Sequence, residues 1–493
     1  MQYDAEIDER RTFSTLEDVM QRLATAKDKT FRELDRHGRI VSLGNKGSLG
    51  HIIEESVLGY DINSDAEPDI KVGEDWYELK VTPVKSINKG KQISAKERLV
   101  IDVINYMELA QEEDFEHSKM WDKARNIILT YYLDNRTDKA SQPRIDCKVL
   151  DSFLMEYLPE DLAIIKHDWQ TIHDKVAAGY ADRLSESDTN YLSACTKGEN
   201  SKQLRTAPAP EGSATPTIKA KQRAFSLKTS YMTSIARQLL DIVSGCERLP
   251  LAPDDNLNKF VQSKFGPFKG QKAESIAATL DVQVAPSTKQ YNSRLAYAML
   301  GTKSTSAQKI EQFNKAGVTG VKTMTIYPNG KPREDMSFPA ITDDQWREWA
   351  DPNVFWEDSF LYDFFESNKF LFVVFRSPVP HKSGHDKSQD VFKNGFLWNM
   401  PERDIERYVK PVWEHVRRIL LSSASVQYGA SGNNQLPGKS FNHAVHLRPH
   451  AQKGRGSGKE SSITILPNGE CITKQGVWLD RDYIAEIVQE YLK

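Results

Sequence analysis

Cysteine is scarce. The 493 residues hold four, Cys147, Cys195, Cys246 and Cys471, far apart and in no C-x-x-C pair, which excludes a disulfide framework and a zinc knuckle. Long apolar runs are also missing: the densest, FLFVVF at 370–375, is far too short to span a bilayer. The acidic opening MQYDAEIDERR has no apolar stretch of the kind a signal peptide needs, so a cytoplasmic protein without a membrane partner is expected. There is little excess charge of either sign, −3 formally, which argues against coating nucleic acid by bulk attraction. His117 and His446 each lack a partner at metal-ligand spacing, and ordinary hydrogen bonding accounts for both.

What is present describes a folded protein of more than one domain. Hydrophobic residues make up 39% and charged residues 27% of the chain, and its length suits two or three cores. The first half is echoed in order by the second. IIEESVLGYD (52–61) resembles RLAYAMLGTK (294–303), and YELKVTPVKSINKGK (77–91) resembles GVTGVKTMTIYPNGK (317–331). DFEHSKMWDKARNIILTYY (114–132) resembles FWEDSFLYDFFESNKFLFVVF (355–375), and QRAFSLKTSYMTSIARQLL (222–240) resembles KQGVWLDRDYIAEIVQEYL (474–492). Four echoes in one order point to duplication. SGCERLPLAPDDN (244–256) combines Gly, Pro and acidic residues, as an exposed linker does. The expected domains are therefore 1–245 and 263–493, joined by a linker at 246–262.

Each half reads as α/β. GSLGHIIEESVLG places Leu49, Ile52, Ile53, Val57 and Leu58 at helical spacing, whereas WYELKVTPV alternates like a strand. NIILTYYL (126–133) and FLFVVF are continuous apolar, β-branched or aromatic runs, which fits strands covered on both faces.

The stretch AEPDIKVGEDWYELKVTPVK (66–85) carries the chemistry. A strand over 76–82 sets Glu78, Lys80 and Thr82 on one face and Tyr77, Leu79 and Val81 on the other. With Asp69 on a neighbouring strand, the carboxylates suit a hard divalent cation such as Mg²⁺, which takes further ligands from water and phosphate. Lys80 would orient the attacking water or steady developing charge. An E-x-K pair alone also fits a plain exposed strand face. Pro68 before Asp69, Glu54 on an amphipathic helix and flanking basic segments give this pair its context. Those segments are KSINKGKQISAKERL (85–99), the stretch from Lys197 to Lys228, and QKGRGSGK (452–459), each either a solvated surface or a DNA contact.

Asp69, Glu78 and Lys80, in D-x₈-E-x-K spacing, resemble the PD-(D/E)xK nuclease motif, and ELKVTPV resembles the MutH family of GATC-directed endonucleases. The resemblance implies that Glu54, in a G-x-x-G-x-x-x-E helix, is a further active-site carboxylate and metal ligand. It also implies that Lys123, in MWDKARNIIL, is a second active-site lysine. SAKERLVIDVINY (94–106), YLSACTKGEN (191–200) and IKAKQRAFSLKTSYMTSI (218–235) are similar to the two-domain Sau-type restriction endonucleases, and this likeness covers essentially the whole chain.

In the second half Gly320 stands where Glu78 does, Ala296 where Glu54 does and Glu366 where Lys123 does, while Lys322 matches Lys80. Glycine and alanine cannot ligate a cation, so this half is expected to be catalytically degenerate. Repair members carry an Arg-Pro pair in their DNA-contacting loop. Here Arg448-Pro449-His450 supplies it in the second half and Cys195-Thr196-Lys197 replaces it in the first. Arg448 reads guanine, contacts phosphate or forms a surface ion pair.

The resemblance thus implies an α/β protein of two tandem MutH-like domains, a bacterial, cytoplasmic, Mg²⁺-dependent type II restriction endonuclease cutting double-stranded DNA 5′ of the G in GATC. It is expected to be a monomer in solution and a dimer on DNA, with the second half binding a second DNA site and no small-molecule cofactor. Lys197, Lys202, Arg205, Lys219, Lys221, Arg223 and Lys228 are the DNA-binding candidates of the first half, and Arg448, His450, Lys453 and Arg455 those of the second. A MutH-like repair nickase and a non-catalytic DNA-binding regulator are the alternatives. The full set Glu54, Asp69, Glu78, Lys80 and Lys123 argues against the regulator, and the second half argues against the nickase.

Overall fold

A computed structural model describes residues 11–38, 48–61, 68–87, 90–136, 142–196, 203–242, 245–251, 256–381, 385–422, 426, 434–450 and 462–492. The chain forms two compact units. One is Met1–Gly245 with Ala252–Asp254 and Asn314–Gly317; the other is Cys246–Leu251 with Asp255–Phe313 and Val318–Lys493.

The strands of the first unit, in chain order, are β1 (Thr12–Phe13), β2 (Ile70–Val72), β3 (Asp75–Ile87), β4 (Gln92–Ala95), β5 (Leu99–Val103), β6 (Ile127–Leu133), β7 (Lys148–Met155), β8 (Leu192–Thr196), β9 (Leu204–Pro208), β10 (Thr217–Lys221) and β11 (Arg223–Leu227). A six-stranded sheet runs β1-β2-β3-β6-β7, with β4 paired to the far end of β3. β5-β11-β8 form a second sheet and β9-β10 a separate ribbon. β6 is parallel to β3 and antiparallel to β7. Its residues from Ile127 to Tyr132 are all buried, as a strand with both faces covered requires.

Tyr77, Leu79 and Val81 of β3 pack on a core built from Val19, Leu23, Phe31, Leu49, Ile52, Ile53, Ile128 and Tyr132. The other face of β3 is left to Glu78, Lys80 and Thr82, as alternation dictates. The amphipathic segment expected around Glu54 is a helix, but it changes pitch. An α-turn over Ser48–Ile52 runs into a π-helix over Ile53–Leu58. Gly59 ends it at φ +90°, a left-handed conformation that costs a side-chain-bearing residue strain.

The second unit continues with β12 (Val318–Ile326), β13 (Met336–Ala340), β14 (Lys369–Arg376), β15 (Val391–Trp398), β16 (Val445–Pro449), β17 (Ile463–Ile465), β18 (Cys471–Thr473) and β19 (Gln475–Leu479). β14 is parallel to β12 and antiparallel to β15, while β13-β19-β16 form a separate sheet. Trp346, Trp349, Trp356, Phe365, Phe372 and Trp413 dominate its core. In each unit the middle strand of the separate sheet leads into a helix, β11 into Thr229–Leu239 and β19 into Arg481–Tyr491.

The linker boundary is corrected. Asn256 caps a helix over Leu257–Phe265 by accepting from the Lys259 N–H, and Leu257, Phe260 and Val261 are buried along it. Apolar residues at helical spacing behind a cap belong to a core, and these belong to the second unit. Arg248 pairs with Glu311 and the Leu249 N–H donates to Gln312, tying residues 246–251 to the same unit. Among the described residues no helix is long and apolar enough to cross a membrane.

Candidate active site

Asp69 precedes β2, which turns at Gly73 and pairs antiparallel with β3 through Ile70↔Tyr77 and Val72↔Asp75. Continuing that register by one residue sets Asp69 against Glu78. On the opposite edge of β3 the Glu78 N–H donates to the Asn126 carbonyl, 2.9 Å, at the entrance to β6. Backbone groups alternate along a strand, so the Leu79 N–H faces back towards β2 beyond its last pair. The Asp69 carboxylate meets it there, Oδ2 accepting at 2.7 Å. A side chain thus completes the ladder.

Glu78 is 8% exposed, and its Oε1 accepts from Lys80 Nζ at 2.5 Å, the same-face contact that the two-residue spacing allows. Arg11 holds the preceding backbone. Its Nε donates to the Asp69 carbonyl at 2.9 Å and its Nη2 to the Pro68 carbonyl at 2.8 Å, with the guanidinium over the Trp76 ring. No motif marks Arg11 in the sequence, because its partners lie 57 and 58 residues away.

Glu54 joins the group from the π-turn. Burial, then the charges of Glu55 and Glu78, raise its pKa against Lys80 and Arg11. Burial and the Glu78 charge push Asp69 up to about 7, opposed by the Leu79 N–H and Lys80. Tyr60 is held above the usual phenol range by burial, then by Glu54 and Asp69. Three carboxylates therefore share one buried neighbourhood and resist joint ionisation.

Asp69, Glu78 and Glu54, the three expected metal ligands, act on one another electrostatically. Among the described residues no three acidic, His or Cys side chains are grouped so as to hold a metal. Leu79 engages Asp69 and Lys80 engages Glu78, so each carboxylate is tied to its own strand. The donor set still fits a divalent cation of the hard class: the ligands are oxygens, and their mutual repulsion is the kind a cation relieves. Asp69 and Glu78 are the pair that suits it.

Lys123 lies on the helix Lys119–Ala124, capped by Ser118, three residues before Asn126. Its Nζ donates to Asp102 of β5 at 3.1 Å, so its partner is a carboxylate outside the Asp69–Glu78 pair.

The DNA-binding candidates separate. Lys197, Lys202, Lys453 and Arg455 lie outside the described residues. Arg205 and Lys219 are exposed on the β9–β10 ribbon, bonded to Gln222 and Thr206. Lys221 is half-buried at the ribbon's base. Arg205 and Lys219 also line a cleft of about 410 Å³ with Asn105, Met107 and Leu204. Arg223 and Lys228 are corrected, being 2% and 3% exposed. Arg223 donates to the Ala194 carbonyl, and Lys228 to the carbonyls of Glu186 and Thr189. Both cations satisfy buried backbone acceptors and offer DNA no surface.

Arg448 is half-exposed, donates to Asp335 at 2.9 Å and lies 4.8 Å over the Trp478 ring. His450 is exposed near the same ring. His446 is buried, among the described residues neither ring nitrogen has a hydrogen-bond partner, and burial lowers its pKa to about 4. His117 pairs with Asp114 at the surface. Lys322 donates to the Ser337 carbonyl between the rings of Phe338 and Phe370. Ala296 is fully buried, and Glu366, 4% exposed, accepts from Tyr362.

Residues 58–168 match the family model described as DNA mismatch repair enzyme MutH, a span holding Asp69, Glu78, Lys80 and Lys123 and starting four residues after Glu54. MutH proteins of Shewanella woodyi and Shewanella baltica are 28% and 26% identical, over 46% and 40% of this chain and 94% and 80% of theirs. The type II restriction enzyme Sau3AI of Staphylococcus aureus is 32% identical over 98% of this chain and 100% of its own length. PD-(D/E)xK nucleases of this kind use divalent metal ions. With the MutH-type motif on one hairpin and a match that runs from end to end, the chain belongs to the Sau3AI family of type II restriction endonucleases.

Proposed function

We propose that this enzyme makes Mg²⁺-dependent double-strand cuts 5′ of the G in GATC, with 1–245 as the cutting domain and the second unit as a DNA-binding effector. The observation that carries the reading is the β2–β3 hairpin, where Asp69 completes the ladder at Leu79 and Glu78 stands beside Lys80. Asp69 and Glu78 would hold the cation, which supplies Lewis-acid polarisation of the phosphate and an acidified water. Lys80, which donates to Glu78 at 2.5 Å, would steady the charge developing on the phosphate. Glu54 adds negative potential that favours a cation, and Lys123, paired with Asp102, would be the second lysine of the site. Arg205, Lys219 and Lys221 would contact DNA from the ribbon, a shape the major groove admits.

The second unit is read as a degenerate copy because its strand register supports the alignment. Glu78 pairs with Ile127 and Gly320 with Phe370, and Lys123 and Glu366 each precede the paired residue by four positions. The alignment and the register thus agree independently. Lys322 keeps its place on the strand but sits among aromatic rings without an acidic partner at position 320, which suits binding rather than hydrolysis. Arg448 and His450 would face the second DNA site, and pairing of two monomers on DNA would let both strands be cut.

Digesting a sequenced plasmid with and without Mg²⁺, then mapping the fragment ends, tests this reading. Ends 5′ of the G in GATC that require the metal are expected. Ends elsewhere overturn the specificity, and single-strand nicks alone would favour the repair-type activity.

A further inference from the structure

Exposed apolar side chains scattered singly over a surface need no explanation. In the first unit three of them meet. Val103, Met107 and Leu204, 38%, 42% and 54% exposed, all line the cleft of about 410 Å³ together with Asn105, Arg205 and Lys219.

Local structure holds these side chains in place. Asn105 caps the helical turn Tyr106–Leu109 by accepting from the Met107 N–H at 3.3 Å. The buried Tyr106 donates its hydroxyl to the Lys221 carbonyl at 2.5 Å, which ties that turn to the base of the β9–β10 ribbon. Across the ribbon Leu204 pairs with Lys221 and Thr206 with Lys219, and paired residues share a face. Ala207 and Ala220, on the other face, are buried, so Leu204 and Lys219 belong to the face that the ribbon presents outward. The cleft also adjoins the chemistry. A smaller cavity of about 140 Å³ shares Val103, Ile104 and Asn105 with it and is lined by Asp102, the partner of Lys123.

Cations on a ribbon suit phosphate, but they do not account for apolar side chains left in water among them. Duplex DNA offers the match. The base edges in the major groove carry donors, acceptors and one apolar group, the thymine C5-methyl. Methionine, unbranched and polarisable, adapts to such a contact. We propose that Met107 and Leu204 are specificity-determining residues that make the apolar contact to the C5-methyl of the target thymine, while Lys219 contacts a phosphate beside it. This inference rests on the reading of GATC as the target.

The test compares two short duplexes with the full chain. One holds GATC, and the other has deoxyuridine for that thymine on both strands and so lacks only the methyl groups. Duplex affinity is measured in Ca²⁺, and cleavage of the GATC duplex in Mg²⁺. The unaltered protein is expected to bind the thymine duplex about fourfold more tightly per contacted methyl, the worth of one buried CH₂. Met107→Ala and Leu204→Ala, both at exposed positions, are expected to abolish that preference. Lys219→Ala is expected to weaken both duplexes alike and to keep the preference, as loss of a phosphate contact does. Equal affinity of the unaltered protein for the two duplexes, or a preference undiminished in both apolar variants, overturns the thymine contact and leaves the GATC reading standing. Failure to cut the GATC duplex overturns that reading, and this inference with it.

Discussion

Asp69 has to serve as a ladder acceptor and as a charge among charges, and the two demands pull its titration apart. Its pKa of about 7 stands above the ~3.9 of an unfolded aspartate. Folding therefore takes up a proton between these values. The contribution to stability is complete below about pH 4 and is lost as pH rises through about 7. Each pH unit of displacement corresponds to about 1.4 kcal/mol, shared among the coupled carboxylates. The urea midpoint of the protein in EDTA is expected to drop between pH 5 and pH 8. Asp69→Asn, which keeps an acceptor for Leu79, is expected to flatten that drop, and Mg²⁺ to restore stability more at pH 8 than at pH 5. An equal drop in the variant would assign the titration elsewhere. Loss of the ligand itself is more severe. Asp69→Ala and Glu78→Ala are each expected to lower the cleavage rate more than about 100-fold, since outer-sphere losses alone cost 10–100-fold. Duplex affinity in Ca²⁺, read by a filter or fluorescence assay, should stay within a few-fold, whereas a parallel loss of binding would make these residues structural.

The hairpin and the π-turn place these side chains, and each has one residue on which its geometry hangs. Gly59 has open space where a Cβ would go but a φ of +90°, so Gly59→Ala is expected to cost about 1–2 kcal/mol by backbone strain alone, visible as a lower urea midpoint. Arg11→Met removes two charge-assisted bonds to the Pro68 and Asp69 carbonyls, each worth roughly 1.5–3 kcal/mol. It should lower both stability and cleavage with every carboxylate still in place. The alternation of β3 and the apolar run of β6 were legible in the sequence, since burial imposes those periods. The pitch change after Ile52 was not, because Glu-Glu-Ser-Val suits an α-turn as well as a π-turn. Arg11 left no trace because a clamp on distant carbonyls has no spacing. Arg223 and Lys228 were misread for a related reason: basic residues in a run reveal nothing about which of them turn inward, and all of RAFSL is buried.

At the scale of the molecule the question is what the second unit, proposed to be a degenerate copy, contributes to cleavage. If it only repeats a fold, Lys322→Ala should disturb little beyond the aromatic pocket around it, while Lys80→Ala lowers the single-turnover rate steeply. A comparable collapse with Lys322→Ala would make the second unit a supplier of catalytic groups. If it binds DNA, occupancy there should favour the active form of the first unit. Such coupling is a free energy between two sites, typically 1–3 kcal/mol or about 5–150-fold. Arg448 suits this role, a half-exposed guanidinium stacked on Trp478 and oriented by Asp335, because a side chain fixed in advance loses less entropy on binding. A plasmid with several GATC sites is then expected to be cut faster per site than one with a single site. A short uncleavable GATC duplex, added at low concentration to the full chain, is expected to accelerate cleavage of the single-site plasmid and to compete only when in excess. Arg448→Ala should remove the acceleration while leaving the rate on a single-site plasmid without added duplex nearly intact. Competition at every duplex concentration would leave the second unit with a purely structural role.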